Sequence, residues 1–414
     1  MNGTIVVSQL GARMHYAVPR ILHQAGRLER LYTDICAVKN WPRALGAVPP
    51  SVLPATLRRL RGRVPHDIPR GKICCFEAVG IASVISRMLD RSRSNDTRAA
   101  LSAGRRFSRA VEREGFGAAA GFYGISGECL EQLQAARRLG LATAVEQIIA
   151  PREIVDKLVA AESVRHPDWE SAIGDDPFAE EFAAREKAEW ASADVIICPS
   201  EFVRDGIAAG GGPVERCVVV PYGVDSRFRP RARDQPGTGA LRVLTVGAVG
   251  LRKGSPYVLE AARRLRGIAE LRLVGPVALH EKLRKKLRED LDLVGPVPRS
   301  EIAQHYAWAD VFLLPSVCEG SATVVYEALA AGLPVVTTPN AGSVVRDGID
   351  GFICPHGDID QLCDKLLLLA RDRERRREMS QQAVIRARDH DLAGYGRRLL
   401  AALDGQQIRA SLAA

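Results

Sequence analysis

Short apolar or β-branched runs alternate with longer helical stretches along most of the chain, which is the pattern of a parallel α/β sheet. Residues 241–246 form the clearest buried strand, and residues 193–198 form another, directly after the helical stretch 178–192. Further strands are predicted at 4–8, 117–123, 141–145, 218–222, 271–274, 293–297, 310–315, 334–338 and 349–353. Helical stretches separate most of these strands, so the pattern predicts an α/β fold.

Three segments depart from this alternation. Residues 40–72 carry six prolines among arginines, which predicts an irregular segment. Residues 77–114 are predicted to be helical and basic. Residues 226–239 are polar and contain two prolines and two glycines, which predicts a linker between two halves of the chain.

Length and composition agree with two globular domains. The 414 residues exceed what one hydrophobic core usually serves, and 46% hydrophobic with 26% charged residues is an ordinary globular composition. No run of about 18 apolar residues exists, and the first residues lack a basic, apolar leader, so neither a transmembrane helix nor a secretory signal is predicted. The nine scattered cysteines predict reduced thiols in a cytoplasmic protein.

Positive charge is concentrated between residues 58 and 113. This window holds 14 Lys or Arg against 5 Asp or Glu, a local net of +9 that equals the net charge of the whole chain. It predicts peripheral contact with an anionic membrane or with a phosphate-bearing acceptor, and a merely solvated basic face is the alternative. Nucleic acid is not predicted as a partner, because the window has only two aromatic residues and no recognised motif.

Two carboxylates stand in the unit 310–338, which is predicted to form a strand, a loop, a helix and a strand. Glu319 follows the first strand and Glu327 lies inside the helix. If Ser321 is the N-cap, the free backbone N–H groups of residues 322–324 form a site for an anion such as a phosphate. Glu327 would then lie roughly 9 Å further along the helix, at about 1.5 Å per residue.

A second candidate anion site follows the strand 241–246. The turn 247–254 reads GAVGLRKG, with Lys253 at the start of the next helix. A glycine-rich turn can hold a pyrophosphate, and the ammonium group can neutralise charge as a leaving group departs.

The N-terminal half offers fewer candidates. Glu146, at the end of the strand 141–145, could orient or deprotonate an acceptor hydroxyl; the alternative is a strand-end glutamate paired with a nearby arginine. Gly11 follows the first strand, where a glycine lets the backbone approach a ligand, although it could equally form a plain turn.

The spacing E-x7-E, together with VPYGVD at 220–225 and EALAAGLPVV at 327–336, resembles the signature of retaining GT-B glycosyltransferases, most closely glycosyltransferase family 4, the group 1 glycosyl transferases. The resemblance is strong over about 193–370 and only topological over 1–190. It implies two Rossmann-like α/β/α domains that face each other across a cleft. The expected divisions are an acceptor-binding domain at 1–222, a nucleotide-sugar-binding domain at 223–390 and a C-terminal helix at 391–414 that crosses back to the N-terminal domain.

The resemblance also implies roles for individual residues. Glu319 would contact the donor sugar, the helix start would take the diphosphate and Glu327 would bind the ribose. The family arginine of the glycine-rich turn is replaced by Ala248, so Arg252 is the candidate for a second cation beside Lys253. The donor-binding residues predicted in this way are Gly11, Gly247, Lys253, Gly275, Val297, Glu319, Gly320, Ser321, Ala322, Thr323, Val324 and Glu327, and the catalytic candidates are Glu319, Lys253, Arg252 and Glu146.

These features predict a retaining, metal-independent hexosyltransferase. It would move a sugar from a nucleotide-diphosphate sugar, without a cofactor, to a glycan or lipid-linked acceptor in the synthesis of cell-surface polysaccharide, lipopolysaccharide or glycolipid. Cationic side chains and helix dipoles would take the place of a metal. Two alternatives stay open: a catalytically impaired sugar-nucleotide-binding subunit of a polysaccharide-synthesis complex, and a nucleotide-sugar epimerase or hydrolase on the same fold.

Overall fold

The structure is a computed structural model that describes residues 3–49, 52–90, 92–170, 176–225 and 239–405. The predicted linker 226–239 lies outside the described residues except for its last position. Residues 406–414, the end of the predicted C-terminal segment, also lie outside them.

The N-terminal half is built on a seven-stranded sheet. Its strands are β1 (Ile5–Ser8), β2 (Leu28–Thr33), β3 (Ile73–Cys75), β4 (Gly121–Ile125), β5 (Ala142–Glu146), β6 (Val195–Cys198) and β7 (Cys217–Val219). They run parallel in the order β3-β2-β1-β4-β5-β6-β7. Its helices are α1 (Ala17–Gln24), α2 (Ala55–Arg61), α3 (Glu77–Leu89), α4 (Arg93–Glu114), α5 (Leu130–Arg138), α6 (Arg152–Arg165), α7 (Ala179–Ser192) and α8 (Glu201–Ala209).

The C-terminal half repeats this plan with six strands. These are β8 (Leu241–Val246), β9 (Ala269–Val274), β10 (Asp292–Gly295), β11 (Val311–Leu314), β12 (Val335–Thr337) and β13 (Gly351–Ile353). They are parallel, in the order β10-β9-β8-β11-β12-β13. Its helices are α9 (Ser255–Arg264), α10 (Glu281–Asp290), α11 (Ile302–Trp308), α12 (Thr323–Ala330), α13 (Ile359–Arg371), α14 (Arg373–Asp389) and α15 (Leu392–Leu403).

Helices cover both faces of each sheet, which explains why the strands read as nearly continuous apolar runs. Successive residues of β1 point to opposite faces, so Ile5 and Val7 join one apolar cluster while Val6 joins another beneath α4. The predicted α/β class and its two-sheet organisation are confirmed.

The chain crosses back to the N-terminal half at its end. Helix α15 packs against α1, where Gly396 lies close to Ile21, and Arg27 pairs with Asp404 at 2.9 Å. The largest apolar cluster contains side chains from both sheets and from α15. The two halves are thus joined by packed side chains as well as by the chain itself.

A buried carboxylate also links the two halves. Glu162 of α6 accepts hydrogen bonds from the Tyr257 hydroxyl at 2.8 Å and lies 3.3 Å from His356 Nε2, and both of these partners belong to the C-terminal half. The hydrogen bonds from His356 and Tyr257 hold the pKa of Glu162 below its usual value, although burial alone would raise it.

Some predicted elements differ from the structure. Strands β2 and β3 are not among the predicted strands, and the segment 40–72, predicted to be irregular, contains the helix α2. In the described part of the chain, no helix combines the length and apolar character needed to span a membrane.

Candidate active site

A cleft of about 650 Å³ lies between the two sheets. Its walls are the loops that follow β1, β4 and β5 on one side and β8, β10 and β11 on the other, so the carboxyl edges of both sheets face it. Ligands of open α/β sheets bind at this edge. The lining residues include Arg13, Glu128, Tyr222, Arg252, Lys253, Arg299, Glu319, Thr323, Val324 and Glu327.

Two cations meet one carboxylate in the C-terminal wall. Lys253 Nζ and Arg252 Nη1 each lie 2.9 Å from Glu319 Oε1. Burial lowers the pKa of Lys253, although Glu319 acts in the opposite direction. Arg252 therefore stands beside Lys253, where the sequence predicted a second cation to replace the arginine missing at Ala248.

The turn after β8 fixes the position of Lys253. Gly254 follows it with φ +68, and a Cβ atom there would lie 1.9 Å from the Pro315 carbonyl oxygen, so only glycine fits. The Lys253 side chain passes over Gly247, whose own Cβ would lie 3.0 Å from Lys253 Cε. These close approaches place the ammonium group in the cleft instead of in solvent.

The helix start at α12 corrects the predicted capping. Ser321 is not the N-cap, because its hydroxyl is hydrogen-bonded to the Tyr326 hydroxyl at 2.8 Å, and Ala322 occupies the cap position without a side-chain bond. The Ala322 N–H donates to the Ala341 carbonyl oxygen at 3.1 Å. The N–H groups that remain for an anion are those of Thr323 and Val324, which have no intrahelical acceptor at a helix N-terminus.

Gly320 brings the two halves into contact at this loop. A Cβ atom at Gly320 would lie 1.8 Å from the Ile148 carbonyl oxygen of the N-terminal half. The Gly320 carbonyl oxygen also accepts a hydrogen bond from the Ser200 hydroxyl. The loop that carries Glu319 is therefore held against the opposite wall of the cleft.

Glu327 lies further along the same helix, buried but reaching the cleft. Its two oxygens accept hydrogen bonds from Tyr306 Oη and Arg299 Nη2, both at 3.0 Å. Burial and Glu327 raise the pKa of Tyr306, which keeps that hydroxyl a donor. Arg299 is a lining residue that the sequence did not single out, because it follows a short strand in the common turn sequence PVPRS.

The first loop of the N-terminal half has an unusual backbone. Gly11 has φ +73, and its N–H donates to Asp34 Oδ1 at 2.9 Å, while its neighbours Leu10 and Ala12 line the cleft. Met14 and His15, both lining residues, have positive φ values of 44 and 53 without being glycine. Such conformations are uncommon for these residue types and often occur at functional sites.

Glu146 stands at the end of β5, as predicted, but it does not line the cleft. It is buried, and it accepts hydrogen bonds from Tyr222 Oη at 2.6 Å and Tyr123 Oη at 2.7 Å, with Arg13 Nε at 3.6 Å. Among the described residues, it is not one of those that line the cleft. These contacts are those of the alternative, a strand-end glutamate paired with a nearby arginine.

Arg13 faces the cleft and is bound to this buried network of Tyr222 and Glu146. Its Nη2 donates to Tyr222 Oη at 2.6 Å. Burial would lower the pKa of Arg13, but Tyr222 and Glu146 more than offset it and raise the pKa. Glu146 therefore holds a permanently charged guanidinium at the N-terminal wall.

A carboxyl group that the sequence did not indicate lines the N-terminal wall. Glu128, in the loop after β4, accepts a hydrogen bond from the Leu10 N–H at 2.9 Å, and burial raises its pKa to about 8. Buried Glu189 of α7 fixes this loop by accepting the N–H groups of Gly127 at 2.6 Å and Cys129 at 3.0 Å. The sequence Gly-Glu-Cys is typical of an ordinary turn. Only the proximity of Glu189 in the fold could have identified Glu128 as a fixed residue of the cleft.

Four predicted donor-site residues stand apart from the cleft surface. In the described ranges, Gly11, Gly247, Gly275 and Val297 are not lining residues, although the neighbours of Gly11 are. Gly275 packs on the Gly247 carbonyl oxygen, where a Cβ atom would lie 1.9 Å away, and Val297 packs against the apolar core. They support the wall that carries Lys253 and Arg299.

Known proteins resemble this chain in sequence and in fold. Residues 240–372 match the family described as Glycosyl transferases group 1. The chain is 31% identical over 201 residues to the amylovoran biosynthesis glycosyltransferase AmsK of Erwinia amylovora, covering 44% of this chain and 48% of that one. It is 30% identical over 211 residues to a GDP-mannose-dependent alpha-(1-6)-phosphatidylinositol monomannoside mannosyltransferase of Mycobacterium tuberculosis, covering 44% and 54%. The chain thus spans about half the length of the curated relatives that it matches.

Solved structures resemble the chain over its whole length. The Anabaena protein HepE in complex with UDP superposes with a TM-score of 0.60 at 14% identity, over 97% of this chain and 100% of that one. Sucrose-phosphate synthase from Thermosynechococcus elongatus gives a TM-score of 0.62 at 16% identity, over 100% of both chains. At these identities the likeness concerns the fold, which is GT-B.

Proposed function

We propose that this chain, whose residues 240–372 form a Glycosyl transferases group 1 domain within a GT-B fold, moves a sugar from a nucleoside-diphosphate sugar to an acceptor hydroxyl and retains the anomeric configuration. The observation that carries the proposal is the meeting of Lys253, Arg252 and Glu319 beside the start of α12 in the cleft between the two domains. Two cations and a helix N-terminus suit a diphosphate, and a carboxylate among them suits sugar hydroxyls.

The donor would lie along the C-terminal wall. Its diphosphate would contact Lys253, Arg252 and the N–H groups at the start of α12, and its sugar hydroxyls would bind Glu319. Glu327 would accept the ribose hydroxyls, with Tyr306 and Arg299 fixing the carboxylate. Support comes from the presence of these groups together in the lining of one cleft and from the HepE structure, which was solved with UDP.

Charge neutralisation would drive the departure of the nucleoside diphosphate. As the bond from the anomeric carbon to the diphosphate oxygen breaks, negative charge grows on that oxygen beside Lys253 and Arg252. Preorganised cations stabilise such charge more in the transition state than in the bound donor. Because side chains supply the positive charge, the proposal invokes no divalent cation.

The position of Arg252 bears on the alternative of an impaired binding subunit. That alternative rests on the alanine at 248, which would leave one lysine to offset the diphosphate. Arg252 lies as near to Glu319 as Lys253 does, so two cations are available at this point. This favours a catalytic role over donor binding alone.

The acceptor would enter from the N-terminal wall. Arg13 and Glu128 both line this side of the cleft. Glu128 would exchange a hydrogen bond with the acceptor hydroxyl or with a neighbouring one, and Arg13 would attract an anionic acceptor. We assign Glu128 the acceptor-side role that the sequence predicted for Glu146.

The acceptor is proposed to be a glycan or a lipid-linked sugar of a cell-surface polymer or glycolipid. The names of the relatives support this class, since they include amylovoran biosynthesis and a phosphatidylinositol mannoside. A cytoplasmic enzyme, bound peripherally to the membrane, would fit such an acceptor. All nine cysteines are free thiols, which suits a reducing compartment.

The direct test is product formation. The purified full chain would be incubated with UDP-, GDP- and ADP-linked hexoses and with a lipid and glycan extract, in the presence of EDTA. The proposal predicts transfer from one nucleotide family, with an α-linked product from an α-linked donor by NMR. Tight donor binding with no transfer would instead support the binding-subunit alternative, and an inverted product would refute the retaining assignment.

A further inference from the structure

Helix α3 exposes an apolar face that no part of the proposed reaction uses. Five large apolar side chains on this helix are between 40% and 83% exposed to solvent; they are Ile81, Val84, Ile85, Met88 and Leu89. Single exposed apolar residues are ordinary on protein surfaces, but a contiguous exposed group usually marks a binding surface. We call these five residues the α3 ridge.

The ridge forms one stripe along the helix. Ile81, Val84, Ile85 and Met88 follow the i, i+3, i+4, i+7 spacing, which places them on a single face of an α-helix. The opposite face is already used, since Val79 and Gly80 are buried and Gly80 packs on Ile35. An outward apolar stripe on a helix that also has a buried face is not needed for folding of this chain.

The helix that carries the ridge and the helix packed against it are basic. Helices α3 and α4 pack against each other, and residues 77–114 hold eight arginines against five acidic residues, a net charge of +3. Exposed arginines on these two helices are Arg87, Arg98, Arg105, Arg106, Arg109 and Arg113; of these, Arg87 is paired with Asp96 and Arg105 with Glu181. An apolar stripe beside clustered arginines is the combination by which helices lie in the headgroup region of anionic bilayers.

We propose that the α3 ridge inserts into the surface of an anionic lipid bilayer, with the arginines of α3 and α4 contacting the headgroups. The charge argues for this occupant over a second copy of the chain, because pairing two ridges would bring together two α3–α4 surfaces that each have a net charge of +3. The apolar side chains of the ridge make this contact, in addition to the attraction between the arginines and the anionic headgroups. It does not depend on the proposed enzymatic activity.

A vesicle-binding experiment tests the proposal with matched variants. The purified full chain would be sedimented with vesicles of equal parts phosphatidylglycerol and phosphatidylcholine, and with vesicles of phosphatidylcholine alone. The ridge variant is Met88→Ser with Leu89→Ser, at sites 71% and 83% exposed. The control variant is Leu139→Ser with Val164→Ser, at sites 66% and 83% exposed but isolated on α5–β5 and α6.

We expect wild type and the control variant to bind the anionic vesicles, and the ridge variant to bind them at least about tenfold more weakly, because two large apolar side chains no longer enter the bilayer. Binding should also fall as salt is raised. Equal binding by the ridge variant, or equal binding to the neutral vesicles, would overturn the proposal. A dimer in wild type that the ridge variant loses, together with no vesicle binding, would show that a second copy covers the ridge.

Discussion

Lys253 Nζ and Glu319 Oε1 lie 2.9 Å apart at the wall of the cleft, with the Lys253 side chain almost wholly buried. Without the carboxylate, a buried ammonium group would be costly to keep charged. Glu319 therefore keeps the lysine positioned and charged, and in the proposed reaction a phosphate of the donor would replace it as the partner of Lys253. The pair joins the proposed sugar-binding group to the proposed leaving-group cation.

Removing the lysine should impair the transition state more than the binding of donor. Lys253→Ala is expected to raise the activation free energy by about 2 to 4 kcal/mol, which lowers kcat/KM by roughly thirtyfold to nearly a thousandfold. The matched control is Lys282→Ala, which removes an exposed lysine from α10, away from the cleft. Steady-state kinetics with the preferred donor would measure both. Normal turnover by Lys253→Ala would remove the catalytic assignment.

Removing the Glu128 side chain should weaken acceptor binding without changing donor binding. Glu128→Ala is expected to raise KM for the acceptor by about tenfold, the equivalent of one lost hydrogen bond to a polar partner, with donor affinity unchanged. Calorimetric titration with the donor nucleotide provides the second readout. If the variant loses donor affinity to the same extent, Glu128 supports the whole cleft and has no separate role toward the acceptor.

The raised pKa of Glu128 makes stability depend on pH in a defined direction. Because the folded-state pKa of about 8 exceeds the ordinary value of about 4.3, the native state holds this proton more tightly, and the associated stability is lost as pH rises through 8. Glu128→Gln replaces the carboxyl group with an amide, which does not titrate in this pH range. Urea unfolding should show the variant gaining about 2 to 4 kcal/mol relative to wild type between pH 5 and pH 9. A difference that stays constant with pH would mean that Glu128 titrates normally.

Glu146 should behave as a structural residue. Glu146→Gln keeps one oxygen that accepts a tyrosine hydroxyl, replaces the other with an amide NH2 that can only donate, and removes the charge near Arg13, so a loss of about 1 to 3 kcal/mol in the free energy of unfolding is expected. Turnover should stay within about tenfold of wild type with an unaltered pH profile, because no proton passes through a group outside the cleft. Tyr123→Phe, which deletes one hydrogen bond and no charge, is the comparison. Activity abolished in Glu146→Gln at unchanged stability would restore Glu146 as a base.

The sequence predicts the C-terminal half well because its signals are local. Strand β8 has the bounds 241–246 in the structure that its apolar run predicts, and Glu319, Lys253 and Arg252 meet where the glycine-rich turn and the E-x7-E unit indicated. Strand β2 escaped detection because Glu29 and Arg30 interrupt its apolar pattern. Strand β3 has only three residues at the edge of the sheet.

The errors in the site come from contacts between residues far apart in the chain. Ser321 has the residue type and position of a cap, but Tyr326 takes its hydroxyl. Glu146 stands at a strand end, as a catalytic carboxylate could, but Tyr222, 76 residues later, covers it. Glu128 is positioned by Glu189 through bonds that span about 60 residues. Local sequence carries no trace of these partners, so the residues proposed for the acceptor side emerge only from the folded molecule.

Nucleotide binding directly tests the proposal that the cleft is a nucleotide-sugar site. UDP, GDP, ADP and their common sugars would be compared by thermal shift on wild type and on Glu327→Ala. A ligand at about 100 times its dissociation constant adds about 2.7 kcal/mol of stability, enough to raise Tm by a few degrees. We expect one nucleotide family to raise the Tm of the wild type, and we expect Glu327→Ala to abolish this shift. No shift with any of these nucleotides would contradict the assignment of the cleft as a nucleotide-sugar site.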